Sequence, residues 1–344
     1  DQAEAGDIVA IAGLTQTTVA DTLCQIDVTE PIPSLPIDPP TLAMTFSVND
    51  SPLAGREGTK VTSRMIRDRL FRESEGNVAI RVRETGSGEA YEVAGRGELQ
   101  LGVLIEQMRR EGFELSVGRP RVLIKTDDGG NRLEPIEEVQ VDVDENYAGV
   151  VVEKLGKRRG EMTDMRPSGG AKVRVTFLVP SRGLIGYHGE FLSDTRGTGI
   201  MNKIFHSYAP WKGTIEGRHT GVLISNASGE AVAFALWNLE DRGPMMIRPG
   251  VPVYEGMIIG EHTRDNDLEV NPMKAKKLTN IRAAGKDEAV VLQTPKILTL
   301  EQAIAYINDD EVVEVTPKSI RLRKKLLDPN ARKRAEKAAD AEAG

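Results

Sequence analysis

A chain of 344 residues exceeds what one hydrophobic core ordinarily serves, so two to four domains are expected. Hydrophobic content of 39% and charged content of 28% describe a globular protein and argue against a disordered or fibrous one. No apolar run approaches the ~18 residues a membrane helix needs, and the single cysteine, Cys24, permits no internal disulfide, which suits a reducing, cytoplasmic setting.

The net charge of −7 is unevenly placed: from Pro317 onward nine Lys/Arg stand against four Asp/Glu. A polyanion responds to charge within a Debye length of ~10 Å, so local basic segments matter more than the acidic total.

The opening DQAEAGDIVAIAGL has no signal-peptide layout. Residues 7–14 read as a buried strand and TVADTLC (18–24) as another, with Cys24 a small buried residue. Such a strand pair is not stable alone, so the chain reads as a fragment whose beginning is missing. Five prolines in the fifteen residues 26–40 mark a linker.

A regular alternation follows. TLAMTFSV (41–48) reads as a strand. Residues 58–75 form a helix with Val61, Met65, Ile66 and Leu70 on one side. NVAIRVRE (77–84) and EAYEVAG (89–95) are strands joined by a TGSG turn. Residues 97–111 form a second helix on the stripe Leu101, Leu104, Ile105 and Met108, and FELSVG (113–118) closes the unit. The order β-α-β-β-α-β is the split βαβ pattern of ferredoxin-like domains.

The pattern then repeats about 90 residues on. PIEEVQVDV (135–143) is a strand and 145–159 a helix on Ala148, Val151, Val152 and Leu155. EMTDMRP and AKVRVTFLVP are strands, 183–196 a helix on Leu184, Tyr187, His188 and Phe191, and GIMNKIFHSY (199–208) the last strand. His188 is expected as a hydrogen-bonded core histidine. After Trp211, VLISNA, AVAFALW and MIIGEH read as strands, and LTLEQAIAYI (298–307) as a helix with Thr299 and Gln302 in a capping box. A basic helix is expected from Asp328-Pro329, with Asp as N-cap and Pro at N1. The fold class is α+β and multidomain: a β-barrel remnant, two βαββαβ domains, and a β-rich C-terminal domain with a capped helix and a basic loop.

Motifs for chemistry are scarce. GREGTK (55–60) has the wrong spacing for a phosphate loop, and the GRG at 95–97 lacks the third glycine of a dinucleotide fingerprint. His188, His206, His219 and His262 match no metal spacing. Ser181-Arg182-Gly183 is no nucleophile elbow, and EHTRDNDLE (261–269) lacks the order of an EF-hand. No catalytic or metal site is assigned. Two other readings stay open: an enzyme whose site is assembled from dispersed groups such as His206 and His219, and a regulatory protein-binding module.

Basic surface remains. GKRRG (156–160) places Lys157, Arg158 and Arg159 at a helix end, where cations also complement the dipole. The tail SIRLRKKLL (319–327), with Arg321, Arg323, Lys324 and Lys325, and ARKRAEK (331–337) read as a solvated helix or a second RNA contact. VNPMKAKKLTNIRAAGK (270–286) carries five bases and no acid. Its Pro, Gly and Asn content makes it a loop whose bases, Lys274, Lys276, Lys277, Arg282 and Lys286, repel one another unless phosphates neutralise them.

The strings GDIVAIAGL and DTLC resemble the end of the second domain of translational GTPases such as elongation factor G. NDSPLAGREGTKVTSRMIRDRL, GRGELQLGVLIEQMRREGFEL, VPSRGLIGYHGEFLSDTRGTGIMN and KKLTNIRAAGKDEAVVLQTPKILTLEQAIAYINDDEVVEVTP resemble the TypA/BipA family. The resemblance divides the chain into 1–35 (the end of a β-barrel domain II plus linker), 40–126 (domain III-like), 132–210 (domain V-like) and 211–344 (the family's own C-terminal domain). It implies docking on rRNA and ribosomal proteins near the factor-binding site of the ribosome, and contact with A-site tRNA through the basic loop. The role is in ribosome assembly and stress-related translation, by a monomeric cytoplasmic protein without membrane partners. The family's GTP-binding domain, with GTP and Mg, is expected to be absent, so this chain is expected to be no enzyme and to take no cofactor.

Overall fold

The computed structural model describes residues 2–14, 17, 21–33, 38–86, 88–274 and 291–343. Among the described residues before Leu42 no strand forms: the expected strand at 7–14 is not there, nor is one at 21–24, and residues 18–20 of the strand expected at 18–24 lie outside the described residues. A strand needs a hydrogen-bonded neighbour, and Ile8 and Ile26 instead stand fully exposed at 102% and 100%. Cys24 is likewise exposed rather than buried, its Sγ donating to the Val28 carbonyl at 3.3 Å.

The first repeat comprises β1 (Leu42–Val48), α1 (Ser63–Gly76), β2 (Arg81–Glu84), β3 (Ala90–Gly95), α2 (Glu98–Arg110) and β4 (Leu115–Gly118). Thr62 caps α1 by accepting from the Met65 amide, and Ile66 and Leu70 face the sheet while Met65 turns outward. The α2 stripe Leu101, Leu104, Ile105 and Met108 is fully covered. The strands pair antiparallel in the order β4-β1-β3-β2, and the two-residue β5 (Arg121–Val122) adds to β1.

The second repeat follows β6 (Lys125–Thr126): β7 (Arg132–Asp144), α3 (Glu145–Lys157), β8 (Glu161–Pro167), β9 (Lys172–Pro180), α4 (Tyr187–Asp194) and β10 (Ile200–Pro210). Its order β10-β7-β9-β8 matches that of the first. The expected helix at 183–196 is broken, because Ser181–Leu184 is a 3-10 turn and Gly186 takes a left-handed φ of 73°. That break shifts the helical phase. Leu184, Tyr187 and Phe191 stay in the core, while His188 points to solvent, correcting its assignment as a core residue.

The remainder comprises β11 (Val222–Ser225), β12 (Gly229–Glu230), α5 (Ala233–Leu239), β13 (Pro252–Val253), β14 (Met257–Glu261), β15 (Leu268–Val270), α6 (Leu300–Tyr306), β16 (Glu311–Val315), β17 (Ile320–Lys324) and α7 (Pro329–Ala343). AVAFALW runs into a helix from Ala233 and is not a strand. A short apolar run carries no period of its own, and packing of Ala231 and Leu236 in a separate core cluster decides the matter. The capping box at Thr299 and Gln302 is formed, and the Asn330 amide donates to the Asp328 carboxylate at the start of α7.

Among the described residues the first repeat and the C-terminal part share one ten-stranded sheet, because β16 pairs antiparallel with β4 from Val312↔Gly118 to Val315↔Leu115. One core cluster runs through both: Val117, Met108 and Leu104 of the first repeat lie with Leu300, Ile304, Val313 and Leu322 of the last part. Each such buried aliphatic side chain contributes roughly 1.5–3 kcal/mol, so the two parts stabilise one another.

Candidate nucleic-acid interface

The basic run leaves the fold from a built stem. Val270 ends β15 in the core, Asn271 Oδ1 accepts from the Met273 amide at 2.9 Å, and the Pro272 carbonyl accepts from the Val232 amide at 3.0 Å. Lys274 is exposed, and Lys276, Lys277, Arg282 and Lys286 lie outside the described residues. The chain re-enters with Leu292 against the core cluster that holds Leu236 and with the Gln293 amide donating to Glu240 Oε1 at 2.8 Å. Both stems are therefore tied to the two ends of α5.

The other cations stand differently. Lys157 is exposed and pairs with Glu153 at 2.7 Å. Arg158 pairs with Glu190 at 2.7 Å, donates to the Gly183 and Ile185 carbonyls and lies over the Tyr187 ring, so it braces the second repeat internally. Arg159 donates to the Thr214 carbonyl at 3.2 Å.

The tail 319–327 is corrected in part, for Ile320–Lys324 is a strand and three of its four cations are buried, while Lys325 is exposed. Arg321, Arg323 and Lys324 are 7%, 3% and 2% exposed. Arg321 bridges Glu57 and Glu314, Arg323 pairs with Asp50, and Lys324 Nζ lies 2.6, 2.7 and 2.9 Å from Asp267, Asp310 and Glu311. Lys325 donates its backbone amide to the Asp310 carbonyl and its ammonium to the Asp309 carbonyl. Arg321, Arg323 and Lys324 therefore act on carboxylates of the same chain. The signal that could have found this is the hairpin EVVEVTPKSIRLRK, in which Glu311 faces Lys324 and Glu314 faces Arg321.

Asp267, Asp310 and Glu311 offer the densest set of carboxylates for a metal among the described residues. The Lys324 ammonium already takes the central position, so this is no site for Mg. Burial pushes the Glu311 carboxyl up, but the Arg218 hydrogen bond and the Lys324 charge outweigh it and hold it below the ordinary carboxylate value. Burial pulls Lys324 down, yet Glu311, Asp267 and Asp310 raise it to about 12.

The GREGTK segment turns its amides on an anion, but the anion is internal. Gly55, Glu57 and Gly58 donate backbone N–H to the fully buried Glu114 carboxylate at 2.6, 2.8 and 2.6 Å. A phosphate does not fit where Glu114 sits. The neighbouring Asn49 and Ser51 donate to Glu314 at 3.0 and 2.7 Å, and Tyr254 donates to it at 2.6 Å. The NDSPLAGREGTK string therefore fastens the first repeat to the C-terminal part.

A cleft of about 870 Å³ opens between both repeats and the C-terminal part. Its cations are matched: Arg119 to Asp309, Lys154 to Asp194, Arg182 to Glu134, Arg218 to Glu311 and Lys296 to Glu261. Burial raises the Tyr306 hydroxyl far above its ordinary value, so it stays protonated. His206 and His219 do not converge with it. They are exposed, His206 against the Ser207 hydroxyl at 2.9 Å and His219 against Glu216 at 3.3 Å. An enzyme site assembled from these two histidines finds no support in this geometry.

Residues 131–219 match the family model described as the elongation factor G C-terminus, which gives the second repeat the class of a translation-factor module. Residues 220–329 match the TypA/BipA C-terminal domain. The chain is 54% identical over 336 residues to the large ribosomal subunit assembly factor BipA of Haemophilus influenzae, covering 97% of this chain and 54% of that protein. The protein of the same name in Bacillus subtilis is 52% identical over 338 residues, covering 98% and 55%. The chain belongs to the TypA/BipA family, and it spans about half the length of the curated relatives it matches.

These matches also correct two expectations. That the protein is no enzyme, and that it takes neither GTP nor Mg, rests on the expected absence of the family's GTP-binding domain. Identity of 52–54% to BipA factors over 97–98% of the chain overturns both expectations.

Proposed function

We propose that this chain is the ribosome-docking portion of a GTP- and Mg-dependent cytoplasmic factor in assembly of the large ribosomal subunit, including assembly under stress. The two repeats face rRNA and ribosomal proteins near the factor-binding site. The C-terminal part reaches A-site tRNA through Lys274, Lys276, Lys277, Arg282 and Lys286, and the factor acts as a monomer. The carrying observation is that five bases without an acid occupy a segment whose stems are fixed to the part that matches the TypA/BipA C-terminal domain. The cations of β17 are consumed by internal carboxylates and take no part. Lys157 remains a candidate for a lesser phosphate contact.

The test is co-sedimentation of the chain with ribosomes across a salt series. Five phosphate contacts predict an affinity falling roughly 10²–10³-fold between 50 and 200 mM salt. Reversing Lys276, Lys277 and Arg282 to Glu should flatten that slope by about three counterions. Salt-independent binding, or a triple variant that sediments like the wild type, would refute the reading.

A further inference from the structure

We infer that the outer face of α5, formed by Phe234 and Trp237, is a stacking platform for an unpaired nucleotide of the bound RNA. The inference rests on the RNA-contact reading above and adds the chemistry of recognition to it.

Phe234 and Trp237 are three residues apart on a helix and so share a face. Their ring centroids lie 6.2 Å apart at an interplanar angle of 38°. Ala235 and Leu236 turn the other way into the core, with Leu239 partly packed against the same cluster. Trp237 is left 48% exposed, and Phe234 is half-buried beside it. The chain's other tryptophan, Trp211, shows the alternative fate: Arg132 and Arg182 lie over its ring at 4.7 and 3.7 Å.

The position of this face selects the partner. The Val232 amide, at the N-cap of α5, holds Pro272, and Glu240, at its C-cap, holds the Gln293 amide. The aromatic pair thus sits between the two points where the most basic stretch of the chain departs and returns. Glu240 is the acid closest in sequence to this face, and its carboxylate accepts from Gln293. Exposed aromatic rings between the two roots of the most basic stretch of the sequence match the needs of single-stranded nucleic acid, whose bases stack while its phosphates are neutralised. Paired bases keep their faces inside the duplex and cannot use such a platform. The platform therefore discriminates unpaired from paired RNA, which phosphate contacts alone cannot do.

The experiment titrates the 344-residue chain at low salt with a short oligouridylate and with an RNA duplex of the same length, following tryptophan fluorescence. Oligouridylate should quench the emission, and Trp211→Phe should retain the quench, assigning it to Trp237. Trp237→Ala should weaken oligouridylate roughly 5- to 150-fold while leaving duplex affinity and its salt slope unchanged. Circular dichroism melting confirms the variant's fold, and Phe234→Ala serves as a second variant with the same expected direction. If Trp237→Ala binds oligouridylate like the wild type while the Lys276/Lys277/Arg282 charge reversal still weakens it, the platform is refuted and the RNA reading stands. If the wild type binds neither RNA, or if α5 engages a protein with no dependence on salt, both are refuted.

Discussion

Replacing Lys324 by Ala withdraws a side chain that is 3% exposed, and its ammonium, from three carboxylates at 2.6–2.9 Å. Two of those acids, Asp267 and Asp310, are 38% and 63% exposed, and each such contact is worth at most about 1 kcal/mol. Glu311 is the expensive partner, for it is wholly buried; it keeps the bidentate pair with Arg218 at 2.8 and 2.9 Å. Removing one member of a buried pair costs about 3–5 kcal/mol, and the surviving Arg218 places this case near 3 kcal/mol. The urea midpoint, followed by circular dichroism, should fall accordingly. The variant also leaves three oxygens facing an unfilled space. Calcium at ten to a hundred times a dissociation constant of about 10⁻⁴–10⁻³ M should restore about 1–3 kcal/mol to Lys324→Ala and nothing to the wild type. The lysine has a pH signature too. Its raised value of about 12 means its contribution is complete below 10.5 and disappears as pH climbs through 12. A variant with an unchanged midpoint and no response to calcium would show that Lys324 is not what neutralises this cluster.

Glu98, at the start of α2, accepts from the Gly186 amide at 2.9 Å across the junction of the two repeats. Burial pushes its carboxyl up, and the Gly186 amide and the Lys203 charge only partly offset this. A raised carboxyl contributes stability below the ordinary value of 4.5 and loses it as pH rises. Glu98→Gln should therefore gain relative to the wild type, by up to about 1 kcal/mol, between pH 4 and pH 7, and a difference in urea midpoints that stays flat with pH would contradict this. Glu114→Gln leaves a single oxygen for the amides of Gly55, Glu57 and Gly58, at a cost of about 2–3 kcal/mol. Hydrogen exchange at those three amides should accelerate; unchanged protection would mean the loop holds itself.

Periodicity by itself settled much of this protein. The stripes Leu101–Leu104–Ile105–Met108 and Ala148–Val151–Leu155 are helical faces in the structure as in the sequence. The Thr299/Gln302 capping box and the Asp328-Pro329 helix start also depend on neighbours within a few residues, and both are formed. What depended on distant partners was not legible. The hairpin EVVEVTPKSIRLRK offers IRLRK two local acids, Glu311 and Glu314, but Glu57, Asp50 and Asp267 are brought to it from more than fifty residues away. AVAFALW becomes a helix through its place in a core, and His188 turns outward because Gly186 resets the helix before it. The joining of β4 to β16 across nearly two hundred residues, which merges the first repeat with the C-terminal part, is of the same kind. Local backbone preference acts over one or two turns and can be read from the chain. Charge compensation and sheet pairing act through space, so only the tertiary structure decided which bases of the described residues are internal braces.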